Sequence, residues 1–267
     1  MQALRAGSLL FLFLLLTIIL IPIQALVRAL RLPLRKTIPH FYHRLVARLF
    51  GIRITTVGQP VTDEGVLLVA THTSWLDIVI FTAVMPVSFV AKSEVAGWAF
   101  FGLLAKLQET VFVARERRSA TGEARDKIRT RLLTGDALML FPEGTSNDGN
   151  RVKPFKSALM GAAEAEMENG RHVRVQPVST AYVRLYGMPM GRENRPFFAW
   201  YGDMDLVPHL WEALKTGPFD VVVEFHEPLS LDVMDRKQLA QAAETVVRAG
   251  QVRALAGTQE KSGQKAA

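Results

Sequence analysis

The chain has 267 residues, enough for one large domain with a sizeable core and too few for two full ones. It has no cysteine, which excludes disulfides, thiolate metal sites and a cysteine nucleophile. Nearly half of it (49%) is hydrophobic, and the net charge of +7 with a pI near 9.9 suits an anionic partner: a membrane surface, a nucleic acid or an acidic carrier protein.

The first predicted element is an apolar run, Leu9 to Val27, broken only by Thr17, Pro22 and Gln24. It is long enough to cross a bilayer, although Pro22 is expected to kink or end a helix there. A cleaved signal peptide is the rival reading. The length of the run, and the lack of a small-x-small cleavage site after it, favour a retained anchor. Arg28, Arg31, Arg35, Lys36, Arg44 and Arg48 follow the run and only Arg5 precedes it. By the positive-inside rule this keeps the remainder of the chain in the cytoplasm. Ala29 to Phe50 mixes Leu, Ile and Phe with Arg and His, and is predicted as a surface-lying amphipathic helix interrupted at Pro33 and Pro39. Residues 1–50 are thus expected to form a membrane anchor and amphipathic segment.

From Gly51 onward, short apolar runs alternate with longer amphipathic ones. Strands are predicted over Val66–Ala70, Ser88–Ala91, Thr110–Ala114, Ala137–Phe141, Val173–Tyr182 and Val221–Phe225. Helices are predicted over Trp75–Val84, Glu94–Lys106, Ser119–Leu133, Lys156–Met167 and Asp235–Ala249. The alternation predicts an α/β domain over residues 51–249, with a mostly parallel central sheet flanked by helices. No internal repeat is present. Gly250–Ala267, rich in Gly, Ala, Gln and Lys, is expected to be a flexible tail.

In such a sheet, functional residues gather just past the carboxyl ends of strands. Two strand ends here carry unusual chemistry: Thr71-His72-Thr73-Ser74-Trp75-Leu76-Asp77, and Phe141-Pro142-Glu143-Gly144-Thr145-Ser146. Five residues apart on one helix, His72 and Asp77 would not meet. With His72 before the helix and Ser74 as its N-cap, the chain reverses and the two side chains approach. A carboxylate on one imidazole nitrogen fixes the tautomer and leaves the other nitrogen to take a proton, the machinery that makes an alcohol nucleophilic. Taken alone, the pair reads first as a capped helix start, because Ser-x-x-Asp is close to a capping box. In the second segment Gly144 permits positive φ or close backbone approach, and Glu143 can hold a polar substrate group. Backbone N–H groups of the turn could face the oxygen of a carbonyl under attack. An ordinary Pro-Glu-Gly turn is the bland alternative. A third segment, Val111-Phe112-Val113-Ala114-Arg115, puts an arginine at a strand end, where it suits a phosphate or carboxylate. Arg117 and Arg118 read as solvated charge.

Taken in order, these segments resemble the lysophospholipid acyltransferase family of the 1-acylglycerol-3-phosphate acyltransferase type. The pattern is His, four residues, Asp; a strand ending in Arg; Phe-Pro-Glu-Gly-Thr; then a strand bearing Pro followed by Val or Ile. This chain supplies His72 and Asp77, Arg115, Phe141 to Thr145, and Pro177-Val178. The resemblance spans about Gly51 to Pro228 and implies a glycerolipid acyltransferase-like fold with an N-terminal helical membrane anchor. By position it makes His72 the general base and Asp77 its orienting partner. Arg115, Glu143, Gly144 and Thr145 would bind the acceptor head group. It implies direct attack on an acyl-CoA or acyl carrier protein thioester, without an acyl-enzyme and with no metal or organic cofactor. The absence of cysteine and of a Gly-x-Ser-x-Gly elbow agrees with that.

The departures carry information. Thr71 stands where the family often has Asn, Glu109 where a Gly commonly opens the arginine strand, and Ser146 where the turn usually continues with Arg. A serine is a poor phosphate ligand, so its presence points away from a glycerol phosphate acceptor. The run from Thr145 through Leu159 is similar to the branch that acylates lyso-ornithine lipid, a phosphorus-free bacterial lipid. The expected activity is therefore O-acylation of a monoacylated membrane lipid, lyso-ornithine lipid first and lysophosphatidate second. Arg151, Lys153 and Lys156 still offer charge for a phosphate. A non-catalytic membrane lipid-binding protein is a distant alternative, and a lipid hydrolase more distant still. Nucleic acid is not expected as a partner, because the basic pI comes without an interleaved basic and aromatic motif. The expected location is the bacterial inner membrane, with the catalytic domain facing the cytoplasm.

Overall fold

The computed structural model describes residues 1–113, 118–167 and 170–258. Two helices, α1 (Gln2–Ala29) and α2 (Leu34–Phe50), precede strand β1 (Ile52–Val57). There follow β2 (Val66–Ala70), α3 (Leu76–Val84), β3 (Ser88–Lys92), α4 (Phe101–Leu107), β4 (Val111–Val113), α5 (Arg118–Leu133) and β5 (Ala137–Leu140). The chain ends with β6 (Arg174–Leu185), the two-residue β7 (Met188–Pro189), α6 (Leu206–Thr216), β8 (Phe219–Phe225) and α7 (Arg236–Ala256). The strands form one sheet in the order β1-β8-β6-β2-β5-β3-β4, with β7 paired to β6. Every pair along that order is parallel except β6 with β8. This is the expected α/β architecture with a mostly parallel sheet.

Both faces of the sheet are covered, which is why its central strands β2 and β5 read as continuous apolar runs. Along β2 the side chains alternate: Val66, Leu68 and Ala70 face one core with α1, α2, α3 and α6, while Leu67 and Val69 face a second core with α5 and α7. All five are buried. Truncating either of its two leucines, Leu67 or Leu68, to alanine costs roughly 2–5 kcal/mol.

Several predicted boundaries move, each for a physical reason. The helix α1 continues through Pro22 and packs along α2 and α6. Its Gln24 side chain donates to the carbonyls of Arg35 (2.8 Å) and Leu107 (2.9 Å), holding the far side of the proline in place. The amphipathic segment breaks at Pro33 but not at Pro39, which lies inside α2. The single helix expected over Glu94–Lys106 is a 3-10 turn (Ser93–Gly97) and then α4, separated where Phe100 takes φ +55°. Lys156–Met167 forms a 3-10 helix, Ser157–Glu164, rather than an α-helix. The expected tail beginning at Gly250 is, up to Ala256, the last part of α7. Gly250 does not end the helix but lets it approach β6, since a Cβ there would fall 2.2 Å from Ser179 Oγ. The terminating glycine is Gly257, at φ +69°. Asp235 starts α7 as predicted, in a capping box with Gln238 worth about 1 kcal/mol.

Candidate active site

β2 and β5 are parallel neighbours with Val69 opposite Leu140, so their carboxyl ends are level. That register sets the segment after Ala70 beside the segment after Leu140, and the two unusual motifs meet. His72 leaves β2 before α3 begins, and Asp77 lies in the first turn of α3. His72 Nδ1 lies 2.8 Å from Asp77 Oδ2. Asp77 is fully buried, and its carboxylate also accepts the backbone N–H groups of Thr73 (2.7 Å) and Ser74 (3.0 Å) and the hydroxyl of Tyr182 (2.9 Å). Ser74 is not the cap: its Oγ is buried and meets no hydrogen-bond partner among the described residues, and the Asp77 carboxylate takes the free N–H groups instead. Burial, then the facing Asp77 charge, pushes the Tyr182 hydroxyl well above its ordinary range, so it stays protonated and donates.

An acceptor-only carboxylate facing Nδ1 makes Nδ1 the protonated nitrogen and leaves Nε2 with a free lone pair. The imidazole is stacked on Phe141, with ring centroids 4.1 Å apart and planes 16° apart, and Phe81 and Phe89 pack around Phe141. The ring is therefore fixed by a carboxylate at one edge and an aromatic face below, while its side chain stays 21% exposed.

The second motif is wired to the first. Glu143, expected to hold the acceptor, turns into the fold and is 2% exposed. Its Oε1 accepts the Thr71 hydroxyl (2.5 Å) and the Lys153 backbone N–H (3.1 Å), and its Oε2 accepts the Asn147 amide (2.8 Å). Both oxygens thus hold internal donors, which ties the turn to Thr71 and to the loop after it. Burial raises its pKa above the ordinary glutamate value, partly offset by those three donors and by the nearby His72. Gly144, at φ +75°, donates its N–H back to Phe141 O (3.1 Å) and closes the turn, leaving Thr145 exposed beyond it. Arg115 lies outside the described residues. Pro177 is buried in β6 opposite Val69, and His226 donates its N–H to the Pro177 carbonyl at 3.0 Å.

Sequence reasoning missed two residues that organise the site. Asn147 is buried and bonds Thr71 Oγ1 (3.0 Å) as well as Glu143, and its backbone N–H donates to His72 O (2.9 Å). Tyr182 reaches Asp77 from the middle of the sheet. The only signal for Tyr182 in the sequence is a phenol in a predicted central strand, which needs a partner when buried. Beside these, α1 to α4 border an open apolar cavity of about 170 Å³, lined by Phe13, Ile21, Ile78, Trp98, Phe101 and Leu104 among others. Ile78 belongs to the same helix as Asp77.

A histidine with a free nitrogen, held by a carboxylate at the carboxyl edge of an α/β sheet, is the equipment of an enzyme that activates a hydroxyl. The acyltransferase family model matches residues 52–181. The chain is 50% identical over 245 residues to the lyso-ornithine lipid O-acyltransferase of Brucella abortus, covering 91% of this chain and 92% of that one. It is 43% identical over 218 residues to the enzyme of the same name from Rhizobium meliloti, covering 81% and 75%. With the 1-acyl-sn-glycerol-3-phosphate acyltransferase of Neisseria gonorrhoeae it shares 32% identity over 171 residues, 63% of each chain. The crystal structure of the 1-acyl-sn-glycerophosphate acyltransferase of Thermotoga maritima has the same fold, with a TM-score of 0.64 at 20% identity over 98% of this chain and 100% of that one. The chain belongs to the acyltransferase family and is an acyltransferase.

Proposed function

We propose that this chain transfers a fatty acyl group from an acyl thioester, carried by acyl carrier protein or CoA, to the free hydroxyl of lyso-ornithine lipid. The chemistry rests on one observation, the His72 Nδ1 to Asp77 Oδ2 contact of 2.8 Å, which commits Nε2 to accepting a proton. The acceptor hydroxyl gives its proton to Nε2 as its oxygen attacks the thioester carbonyl. The tetrahedral intermediate then collapses, the carbon–sulfur bond breaks, and the leaving thiolate takes the proton back from the imidazolium. The products are an ester and a free thiol, and no covalent enzyme intermediate is needed. Asp77 stabilises the transient imidazolium, and Tyr182 with the two backbone N–H groups holds Asp77 still.

The acceptor assignment is supported by the relatives of that name, which match at higher identity and over more of the chain than the glycerol phosphate enzyme does. The apolar cavity beside α3 suits a fatty chain. Membrane association follows from α1, whose inner side is packed against the domain while Phe11, Leu15, Ile18 and Leu26 remain exposed. A helix lying along its domain in this way favours embedding in one leaflet of the inner membrane, with the domain on the cytoplasmic side. The test is an acylation assay with purified protein in detergent, offered lyso-ornithine lipid and lysophosphatidate with each donor. Ester formation on lyso-ornithine lipid is the expected result, and acylation of lysophosphatidate alone would overturn the acceptor assignment.

A further inference from the structure

The apolar cavity bordered by α1 to α4 also carries polar side chains: Thr17 and Gln24 from α1, Tyr42 and His43 from α2, and Gln108 just after α4. Four of these five are buried, and Tyr42 is half-buried. Every polar proton on their side chains is already spent inside the protein. Both amide protons of Gln24 go to carbonyls, those of Arg35 (2.8 Å) and Leu107 (2.9 Å). Those of Gln108 go to Thr82 Oγ1 (2.6 Å) and the Val87 carbonyl (3.3 Å). The Thr17 hydroxyl donates to the Phe13 carbonyl at 2.6 Å, so the Tyr42 hydroxyl, 2.8 Å away, is the donor to Thr17. His43 Nδ1 lies 2.8 Å from the Pro39 carbonyl, which can only accept, and so carries the ring proton. Burial lowers the His43 pKa to about 4, which keeps the ring neutral at neutral pH. Nε2, on the opposite edge of the ring, then holds a bare lone pair.

What this wall offers a guest is therefore lone pairs. Gln24 Oε1 is buried without a hydrogen-bond partner among the described residues, and the hydrogen bond of the His43 ring uses Nδ1 alone. The Trp75 indole N–H is also spent, on His209 Nδ1 at 3.0 Å. The remaining donors on the wall belong to the exposed Trp98 and to Thr110, whose hydroxyl can also accept. An acceptor shut into apolar surroundings is costly until a donor reaches it.

We propose that this cavity takes a fatty chain bearing a hydroxyl group, whose O–H donates to His43 Nε2. This rests on the reading of the cavity as the seat of a fatty chain, given above. A plain chain fills the apolar lining equally well but leaves the lone pair unmet, so the wall selects by chemistry as well as by shape. The hydroxyl concerned is distinct from the one that reacts, which has to reach His72. Acyl donor and lipid acceptor both carry a fatty chain, and the test separates them.

The first measurement is native mass spectrometry of the purified full-length protein released from detergent. Each sample is offered an equimolar mixture of palmitic acid and one of its monohydroxy isomers. The isomers partition alike, so the bound ratio, followed from one hydroxyl position to the next, isolates the contact. One position should be held about fivefold better than the others, the worth of one neutral hydrogen bond. His43→Leu should erase that peak and Tyr42→Phe, which leaves Nε2 in place, should keep it, with melting temperatures taken to check that both variants are folded. Isomers that bind alike, or an unchanged peak in His43→Leu, would overturn the proposal. Protein that binds no fatty acid at all would overturn the fatty-chain reading of the cavity as well. The second measurement finds the source of the chain. Plain and hydroxylated palmitoyl thioesters compete for one acceptor, and acceptors with plain and hydroxylated chains compete for one donor. The preference should appear in the product ratio of one arm, and equal ratios in both would overturn a role in substrate choice.

Discussion

The two ends of the central sheet handle charge in opposite ways. At the amino ends of β3 and β5, charges are paired. Asp136 is bonded by Lys36 from α2 and by Arg131 from α5, and Arg131 also lies 3.7 Å from Glu109. Burial works to raise the Asp136 carboxyl, but Lys36 and Arg131 more than offset it and hold its pKa below the ordinary value. At the carboxyl ends, the two buried carboxylates Asp77 and Glu143 are satisfied by neutral N–H and O–H donors and one imidazole. Charge pairing holds helices to strands, whereas neutral donors keep a carboxylate in place without neutralising it. The first arrangement suits a clamp. The second suits a group that must stabilise a positive charge appearing on its neighbour during a reaction.

Breaking the reacting end should have the largest effect. His72→Ala removes the proton acceptor, and kcat is expected to fall by roughly 10²–10⁴-fold while circular dichroism and membrane association stay unchanged. Near-normal turnover in that variant would rule out the base. Glu143→Gln sets an amide N–H against the Asn147 amide and disturbs the seat of His72 without touching it. A loss in kcat of about 10²-fold is expected, read with the melting temperature to separate displacement from unfolding. Tyr182→Phe deletes one donor to Asp77 and should cost about 1.5–3 kcal/mol of stability in denaturant titration, with a smaller loss of activity.

The clamp end should respond in stability alone. Asp136→Asn leaves Lys36 and Arg131 without their counter-charge and should lower the unfolding free energy by about 1–3 kcal/mol, with kcat per folded molecule unchanged. A change in kcat as large as the change in stability would erase the contrast between the two ends. The smallest effect is expected at Asp232, whose carboxyl is held down to about 2 mainly by the His172 backbone N–H and then by its side chain. Because its folded pKa is depressed, its stabilisation is complete above the ordinary value of 3.8 and is lost as pH falls toward 2. Asp232→Asn should therefore lower the melting temperature slightly above that acid window and flatten its pH dependence within it.

Much of this contrast is legible in the sequence where local rules act alone. The run Val66–Ala70 is a strand with the predicted limits, because a central strand buried on both faces has no polar position to blur its ends. The approach of His72 to Asp77 follows from placing one before and one inside a helix start. What escapes local reading depends on distant partners. Glu143 after a proline in a turn reads as solvent-facing, and only Thr71 and Asn147, reached through the β2–β5 register, turn it inward. Helix α6 was not anticipated because Pro208 interrupts its apolar pattern, yet the proline sits in the first turn, where its missing N–H costs little. Gly250 reads as a terminator until the closeness of β6 is known.

The lock at Asn147 divides the loop that contains it. Residues before and including Asn147 are bonded into the catalytic apparatus, and those from Asp148 to Lys153 reach it through Gly149 and through the backbone N–H and ammonium of Lys153. Such a layout lets one stretch of chain be exchanged like a tool bit while the chuck that grips it stays put. Transplanting residues 148–153 from a relative with another acceptor should change which lipid is chosen and leave the speed of acyl transfer, once bound, nearly as it was.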